Sequence, residues 1–307
     1  MHPFRFAVQQ GSAPSGERWA SLARRAESLG YDVLVMPDHL GNQLSPLVAL
    51  AAAAAATTSL RVGAFVFAND YRHPLILARE AATLDFLSGG RLEMGMGAGW
   101  MTSDYRRLGM AYDPGPRRVD RLEEAIPLVK RLLTGETVTH QGEHYRLEGA
   151  SVGVATVQQP RPPLAIGAGR PRMLRLAARE AEIVGLVPGF SAEGRPLIRQ
   201  ATETATAEKV ALIKQEAGDL FERLELNLWL GDAGLVGSGN AILGSVAAAA
   251  RWAPTARYGS PYVLYGTLKS AREQLQRRRD RLGISYYTIP SHAMESMGPL
   301  VEALAGR

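Results

Sequence analysis

Three places in this 307-residue chain carry groups suited to chemistry. At Asp38-His39 a histidine can accept or donate a proton near neutral pH, and an aspartate beside it can orient it or tune its charge. The dipeptide by itself equally fits a turn cap next to a packed imidazole. The other two places are glycine clusters, Gly97-Ala98-Gly99 and Gly167-Ala168-Gly169-Arg170. Glycine lets a backbone approach a ligand closely, and where such a loop opens a helix its free amides, with Arg170 or Arg172 nearby, form a phosphate site. Plain tight turns use the same glycines. Asn69 offers amide donors and a carbonyl acceptor to a polar ring edge, and it is also a turn former.

The elements that must position these residues are legible from patterning. Residues 4–9, 31–36, 61–68, 91–96, 164–167, 183–187, 224–230 and 284–289 read as eight strands, several of them continuous apolar runs of the kind buried on both faces. Between them apolar positions return at helical spacing. Trp19, Leu22, Ala23, Ala26 and Leu29 form one stripe, Ser45-Pro46 opens a second helix, and Leu75, Ala78, Ala82 and Phe86 mark a third that stops at Ser88-Gly89-Gly90. Further helices are expected over 117–133, 173–179, 196–218, 240–252, 267–281 and up to about 305. Residues 101–116 read as a polar loop, 137–149 as a hairpin turning at Gln141-Gly142-Glu143, and 253–266 as a turn-rich linker. This alternation predicts an α/β fold, a (β/α)8 TIM barrel with insertion segments, as one domain over 1–307. Residues 150–163, rich in proline, then read as an excursion across the barrel mouth. Active sites of such barrels lie at the carboxyl ends of the strands, where Asp38-His39, Asn69 and both glycine clusters fall.

Composition limits the partners. The 35 basic and 30 acidic residues are mostly interleaved, and Arg277-Arg278-Arg279, the one dense basic run, shares a helical pattern with Glu273 and Asp280. It reads as a solvated helix face, and no nucleic-acid partner is expected. The absence of cysteine removes disulfides and thiolate chemistry, no apolar run reaches about 20 residues, and no signal segment opens the chain; a cytoplasmic location without membrane attachment is expected. His73 fits a helix start, and His140 and His144 are expected to face solvent in the hairpin. Metal-ligand spacings such as His-Glu-x-x-His are absent, so no metal is expected, and without a Gly-x-Ser-x-Gly elbow a serine hydrolase is disfavoured.

Pro37-Asp38-His39, Asn69-Asp70-Tyr71-Arg72-His73-Pro74, Ala82-Thr83-Leu84-Asp85, Leu87-Ser88-Gly89-Gly90-Arg91 and Gly97-Ala98-Gly99-Trp100 follow one another in order. This series closely resembles the luciferase-like monooxygenase superfamily and, within it, the branch that uses the deazaflavin coenzyme F420. The likeness extends at lower density over nearly the whole chain. It implies an F420-dependent oxidoreductase, built as a homodimer, that transfers a hydride between the deazaflavin and a small-molecule substrate. His39 would be the catalytic acid or base against the cofactor ring, with Asp38 beside it. A non-proline cis peptide within Ala64-Phe65-Val66 would support the bent ring, with Asn69 at the strand end. Gly97, Ala98 and Gly99 would approach the cofactor, and Gly167, Ala168, Gly169 and Arg170 would hold its phosphate. Some members carry a catalytic glutamate just beyond the glycines that follow strand four; Trp100-Met101-Thr102 stands there instead, so a mechanism needing that acid does not transfer, and Trp100 points to an apolar wall. Two other readings share the barrel: an FMN-dependent monooxygenase using reduced flavin and oxygen, and a non-catalytic flavin-binding protein.

Overall fold

All eight expected strands form in the computed structural model, which describes residues 1–191, 195–235, 252, 254–255 and 259–307. In chain order the elements begin with β1 (Arg5–Gln9), α1 (Gly16–Ser28), β2 (Val33–Met36), α2 (Pro46–Ala55), β3 (Arg61–Ala64), β4 (Phe67–Ala68) and α3 (Pro74–Leu87). They continue with β5 (Leu92–Gly97), α4 (Thr102–Leu108), α5 (Gly115–Leu133), β6 (Val138–Gln141), β7 (Arg146–Ala150), β8 (Leu164–Ala168), α6 (Pro171–Glu180) and β9 (Ile183–Leu186). The last are α7 (Glu203–Ala217), β10 (Glu225–Trp229), β11 (Asp232–Leu235), β12 (Val263–Gly266), α8 (Leu268–Leu282), β13 (Ile284–Pro290) and α9 (Met294–Leu304). The main sheet has the order β3-β2-β1-β13-β10-β9-β8-β5-β4, and β3 pairs also with β5, so the order returns on itself. The fold is a (β/α)8 barrel. No described helix is long and apolar enough to cross a membrane.

The described residues group into two compact units, one of residues 1–10, 25–34 and 167–307 and one of residues 11–24 and 35–166. In the first, β13 runs parallel to both β1 and β10, and the buried Asn227 amide donates to Thr288 Oγ1 at 2.9 Å. In the second, β3 and β4 are the halves of one expected strand, interrupted at Phe65-Val66, whose peptide is cis and falls within the expected tripeptide. Both halves run parallel to β5. Here β3 and β5 lie so close that a Cβ on Gly95 would strike the Ala64 carbonyl oxygen, and one on Gly97 would strike the side chain of Val66, between β3 and β4.

Four expectations change. Residues 101–116 contain α4, because Gly109 in the left-handed conformation (φ 66°) stops a short helix whose Asp104 and Tyr105 turn inward. Residues 150–163 do not cross the mouth. The buried Asp85 carboxylate accepts the Val157 and Gln158 amides at 2.7 and 3.0 Å, and Gln158 bonds Arg61 and the Leu92 carbonyl, groups that open β3 and β5. The segment is therefore held at the amino ends of those strands. Residues 253–266 include β12, which pairs in parallel with β11; both strands have only four residues, too few for a periodic signal. Residues 196–202 form a 3-10 turn, Ile198–Gln200, and its flanks ahead of α7. The helix expected over 240–252 lies outside the described residues, Trp252 apart.

Gly95→Ala will destabilise the protein by on the order of 2–4 kcal/mol, because the obstruction is backbone and cannot rotate away. Urea denaturation measures this, and an unchanged midpoint would show that β3 and β5 can separate without cost.

Candidate functional site

His39 follows β2, and its Nδ1 lies 2.7 Å from Oδ2 of Asp104, a side chain with no exposed surface. A buried carboxylate accepts the Nδ1 proton, which leaves Nε2 as the nitrogen turned away from the acid. Trp100 meets the ring edge-on, with centroids 5.5 Å apart and planes at 88°. The imidazole is therefore fixed by an acid on one side and an indole on another while its side chain keeps 27% of its exposure. Asp104 also accepts the Leu40 amide at 3.2 Å, the Tyr71 hydroxyl at 3.3 Å and Arg107 at 3.3 Å. Burial, reinforced by Asp104, pushes Tyr71 well above the ordinary phenol range and keeps it a donor.

Asp38, expected beside His39, is used differently. Arg72 grips its two oxygens at 2.6 and 3.1 Å, and Oδ2 also accepts the Ala68 amide at 3.0 Å. It ties the end of β2 to the end of β4, and the partner of His39 comes instead from α4. Sequence patterning missed Asp104 because α4 is short and polar, Thr-Ser-Asp-Tyr-Arg-Arg-Leu, and shows no apolar stripe. The one available signal was that an acid stands close behind Trp100-Met101-Thr102, where the resemblance had found none.

The run from Asn69 to His73 works as a row of anchors. Asn69 is buried, and one N–H of its amide donates to the Tyr145 hydroxyl of the hairpin at 2.8 Å. Asp70 takes a two-pronged bond from Arg121 at 2.9 and 2.7 Å and the Tyr105 hydroxyl at 2.8 Å. Tyr71 reaches Asp104, Arg72 reaches Asp38, and His73 caps α3 by accepting the Leu75 amide at 3.2 Å. In the hairpin, His140 bonds Glu124 at 3.0 Å and the His144 side chain is 8% exposed, so neither simply faces solvent. Their packing against α5 follows from Glu124, which also accepts the His144 and Tyr145 amides at 2.9 Å.

The glycines after β5 serve packing. Gly97 makes room for Val66, and Gly99 (φ 72°) makes room for the Tyr105 hydroxyl while its carbonyl accepts from Arg118. Ala98 lies half-buried between them. Of the expected strand-three triplet, Ala64 is buried and Phe65 and Val66 are half-buried.

In the other unit, Gly167 and Ala168 close β8 and Arg170 sits at the N-cap of α6 without a side-chain cap. No acidic residue occupies the first turn, and Pro171 at its start removes one amide, so the remaining amides suit an anion. A Cβ on Gly169 would lie 2.8 Å from the Val187 carbonyl oxygen. That carbonyl accepts from Lys209 Nζ at 2.9 Å, which also reaches the Gln200 carbonyl and the Tyr262 hydroxyl, each at 3.0 Å. Burial, with Arg170 adding repulsion, lowers Lys209 from 10.5 to about 8. Among the described residues no three His, Cys, Asp or Glu are placed to hold a metal ion.

A family model described as luciferase-like monooxygenase matches residues 1–213. The chain belongs to this family. It is 32% identical over 189 residues to an F420-dependent glucose-6-phosphate dehydrogenase of Microbacterium testaceum, covering 59% of this chain and 55% of that one. It is 34% identical over 177 residues to 4-hydroxyprotoasukamycin monooxygenase of Streptomyces nodosus subsp. asukaensis, covering 55% and 47%. The chain thus spans about half the length of these curated relatives. A solved F420-dependent secondary alcohol dehydrogenase, in complex with an F420-acetone adduct, superposes with a TM-score of 0.79 over 99% of both chains at 17% identity, a likeness of fold.

Two measurements check this geometry. Asp104→Ala leaves His39, the Leu40 amide, the Tyr71 hydroxyl and Arg107 without their acceptor and will cost about 2–4 kcal/mol in urea denaturation; a loss below about 0.5 kcal/mol would mean that water replaces the carboxylate freely. Lys209 must lose part of its affinity for a proton on folding, so its cost is fully present below about pH 8 and is relieved as pH rises toward 10.5. The stability of the native protein relative to Lys209→Met will therefore rise by on the order of 2 kcal/mol between these limits. A flat difference would show that Lys209 stays charged throughout.

Proposed function

We propose that this luciferase-like protein is an oxidoreductase that transfers a hydride between coenzyme F420 and a small organic substrate, with His39 moving the accompanying proton. The observation that carries the reading is the His39–Asp104 pair. A half-exposed imidazole, held by a fully buried acid at the carboxyl end of a barrel strand, is arranged to exchange a proton through Nε2. F420 dependence is supported by relatives of that name, of which the Microbacterium testaceum enzyme is one. The uncapped first turn of α6, with Gly167, Ala168, Gly169 and Arg170, fits a cofactor phosphate. When bound, the deazaflavin supplies the hydride chemistry.

The chain's own contribution is orientation. Asp104 holds the imidazole in one tautomer, Trp100 limits its rotation and offers an apolar wall, and the anchors at Asp38, Asp70 and Tyr71 fix the loop behind it. Trp100 favours a substrate with an apolar face next to the reacting carbon. A homodimeric assembly and a cytoplasmic location belong to the same proposal. The monooxygenase relative keeps a second reading in view, in which reduced FMN and oxygen take the place of F420.

Titrating the purified protein side by side with F420 and FMN, following the fluorescence of each, separates the readings. Tighter binding of F420 is expected, preference for FMN would favour the monooxygenase, and binding of neither would overturn both. With an F420-linked assay over alcohols and ketones, His39→Ala is expected to lose about 100-fold or more in kcat while F420 binding stays within a few-fold. Unchanged turnover would remove His39 from the mechanism.

A further inference from the structure

A cavity of about 390 Å³ lies between α8, the start of α7 and the segment around Ser260 and Tyr265. Three arginines of α8 line it, Arg277, Arg278 and Arg281, together with Glu203. Arg281 pairs with Glu203 at 2.8 Å, so the lining retains two positive charges beyond its one carboxylate. Nη1 of Arg278 is buried and has no hydrogen-bond partner among the described residues. Buried charged donors are rarely left so, and burial also pulls this guanidinium below its ordinary affinity for a proton. The Ser260 hydroxyl, which lines the same cavity, accepts the Tyr262 amide at 3.3 Å, and a hydroxyl that accepts one bond can still donate its proton.

The basic run is thus not a uniform solvated face. Arg279 turns to the Phe4 ring, 4.0 Å from its centroid, and donates to the Arg307 carbonyl at 2.7 Å, whereas Arg277 and Arg278 face the cavity. We propose that this cavity binds the dianion of a phosphate monoester. Two guanidinium forks match the charge and the oxygen geometry of a phosphate, and a single carboxylate would answer only one of them. The volume exceeds what a phosphate needs and leaves space for a small carbon skeleton.

The test is calorimetric titration of the full chain with inorganic phosphate at pH 8, with ionic strength held by chloride. A saturable site is expected that is weakened about tenfold or more in Arg277→Gln and in Arg278→Gln, the loss of one charge-assisted hydrogen bond. Arg272→Gln, an exposed change on the same helix, and Arg170→Gln, in the glycine loop, should leave that site intact. Absence of saturable binding, an equal loss in Arg272→Gln, or a loss confined to Arg170→Gln would each overturn the proposal. If Arg278→Gln fails to fold, the exposed Arg277→Gln decides alone.

Discussion

A carboxylate with no exposed surface has to be met by donors, and at Asp104 those donors define the site. An unpaired charge at that depth would cost several kcal/mol, so the His39 ring, the Leu40 amide, the Tyr71 hydroxyl and Arg107 are drawn to one point. The loop after β2, the turn after β4 and α4 share this single acceptor. Displacing any of them would expose or orphan the carboxylate, which is why a histidine on a loop can have a defined orientation. The neighbouring anchors repeat the arrangement: Arg72 holds Asp38, and Arg121 holds Asp70 from α5. Each acid is nearly buried, each is answered by a guanidinium, and each bond crosses between different elements.

The fold was legible because its signal is repeated. Eight apolar runs of strand length alternating with amphipathic segments leave few other architectures, and every one of the eight became a strand. What patterning could not supply was pairing over distance. Asp38 and His39 are adjacent in sequence, but successive residues leaving a strand point to different sides, so Asp38 turned to Arg72 and His39 to a residue 65 positions away. The same limit hid the Asn69–Tyr145 bond, and it hid the direction of residues 150–163, whose path is set by Asp85 and Arg61 rather than by their own composition. Four-residue β11 and β12 carry too little sequence to stand out from a linker.

The glycines show how one residue type can answer two demands. Gly97 and Gly99 fit a backbone that a ligand approaches, and the Cβ position of each is also occupied, by Val66 and by the Tyr105 hydroxyl. Their smallness is a packing requirement, set at Gly97 by Val66 between β3 and β4 and at Gly99 by Tyr105 of α4. Gly169 meets a similar constraint from the Val187 carbonyl, but there the helix that follows has no side-chain cap, so its amides still have a use. The difference between the two clusters lies in the uncapped helix start that follows one of them and not in the glycines.

That distinction also decides what the imidazole can do. With Nδ1 committed to Asp104, proton exchange with a reactant is confined to Nε2, and Trp100 restricts the approach to the ring. The acid that the sequence pattern lacked beyond Trp100 is present two positions after Thr102, but it is turned toward the histidine and buried. In the proposed reaction it would act through His39 and not on a substrate. In the proposed reaction an alcohol would give its hydroxyl proton to the imidazole, or a ketone would draw one from it, with a hydrocarbon substituent against the indole, an arrangement that a compact, fully polar molecule cannot match.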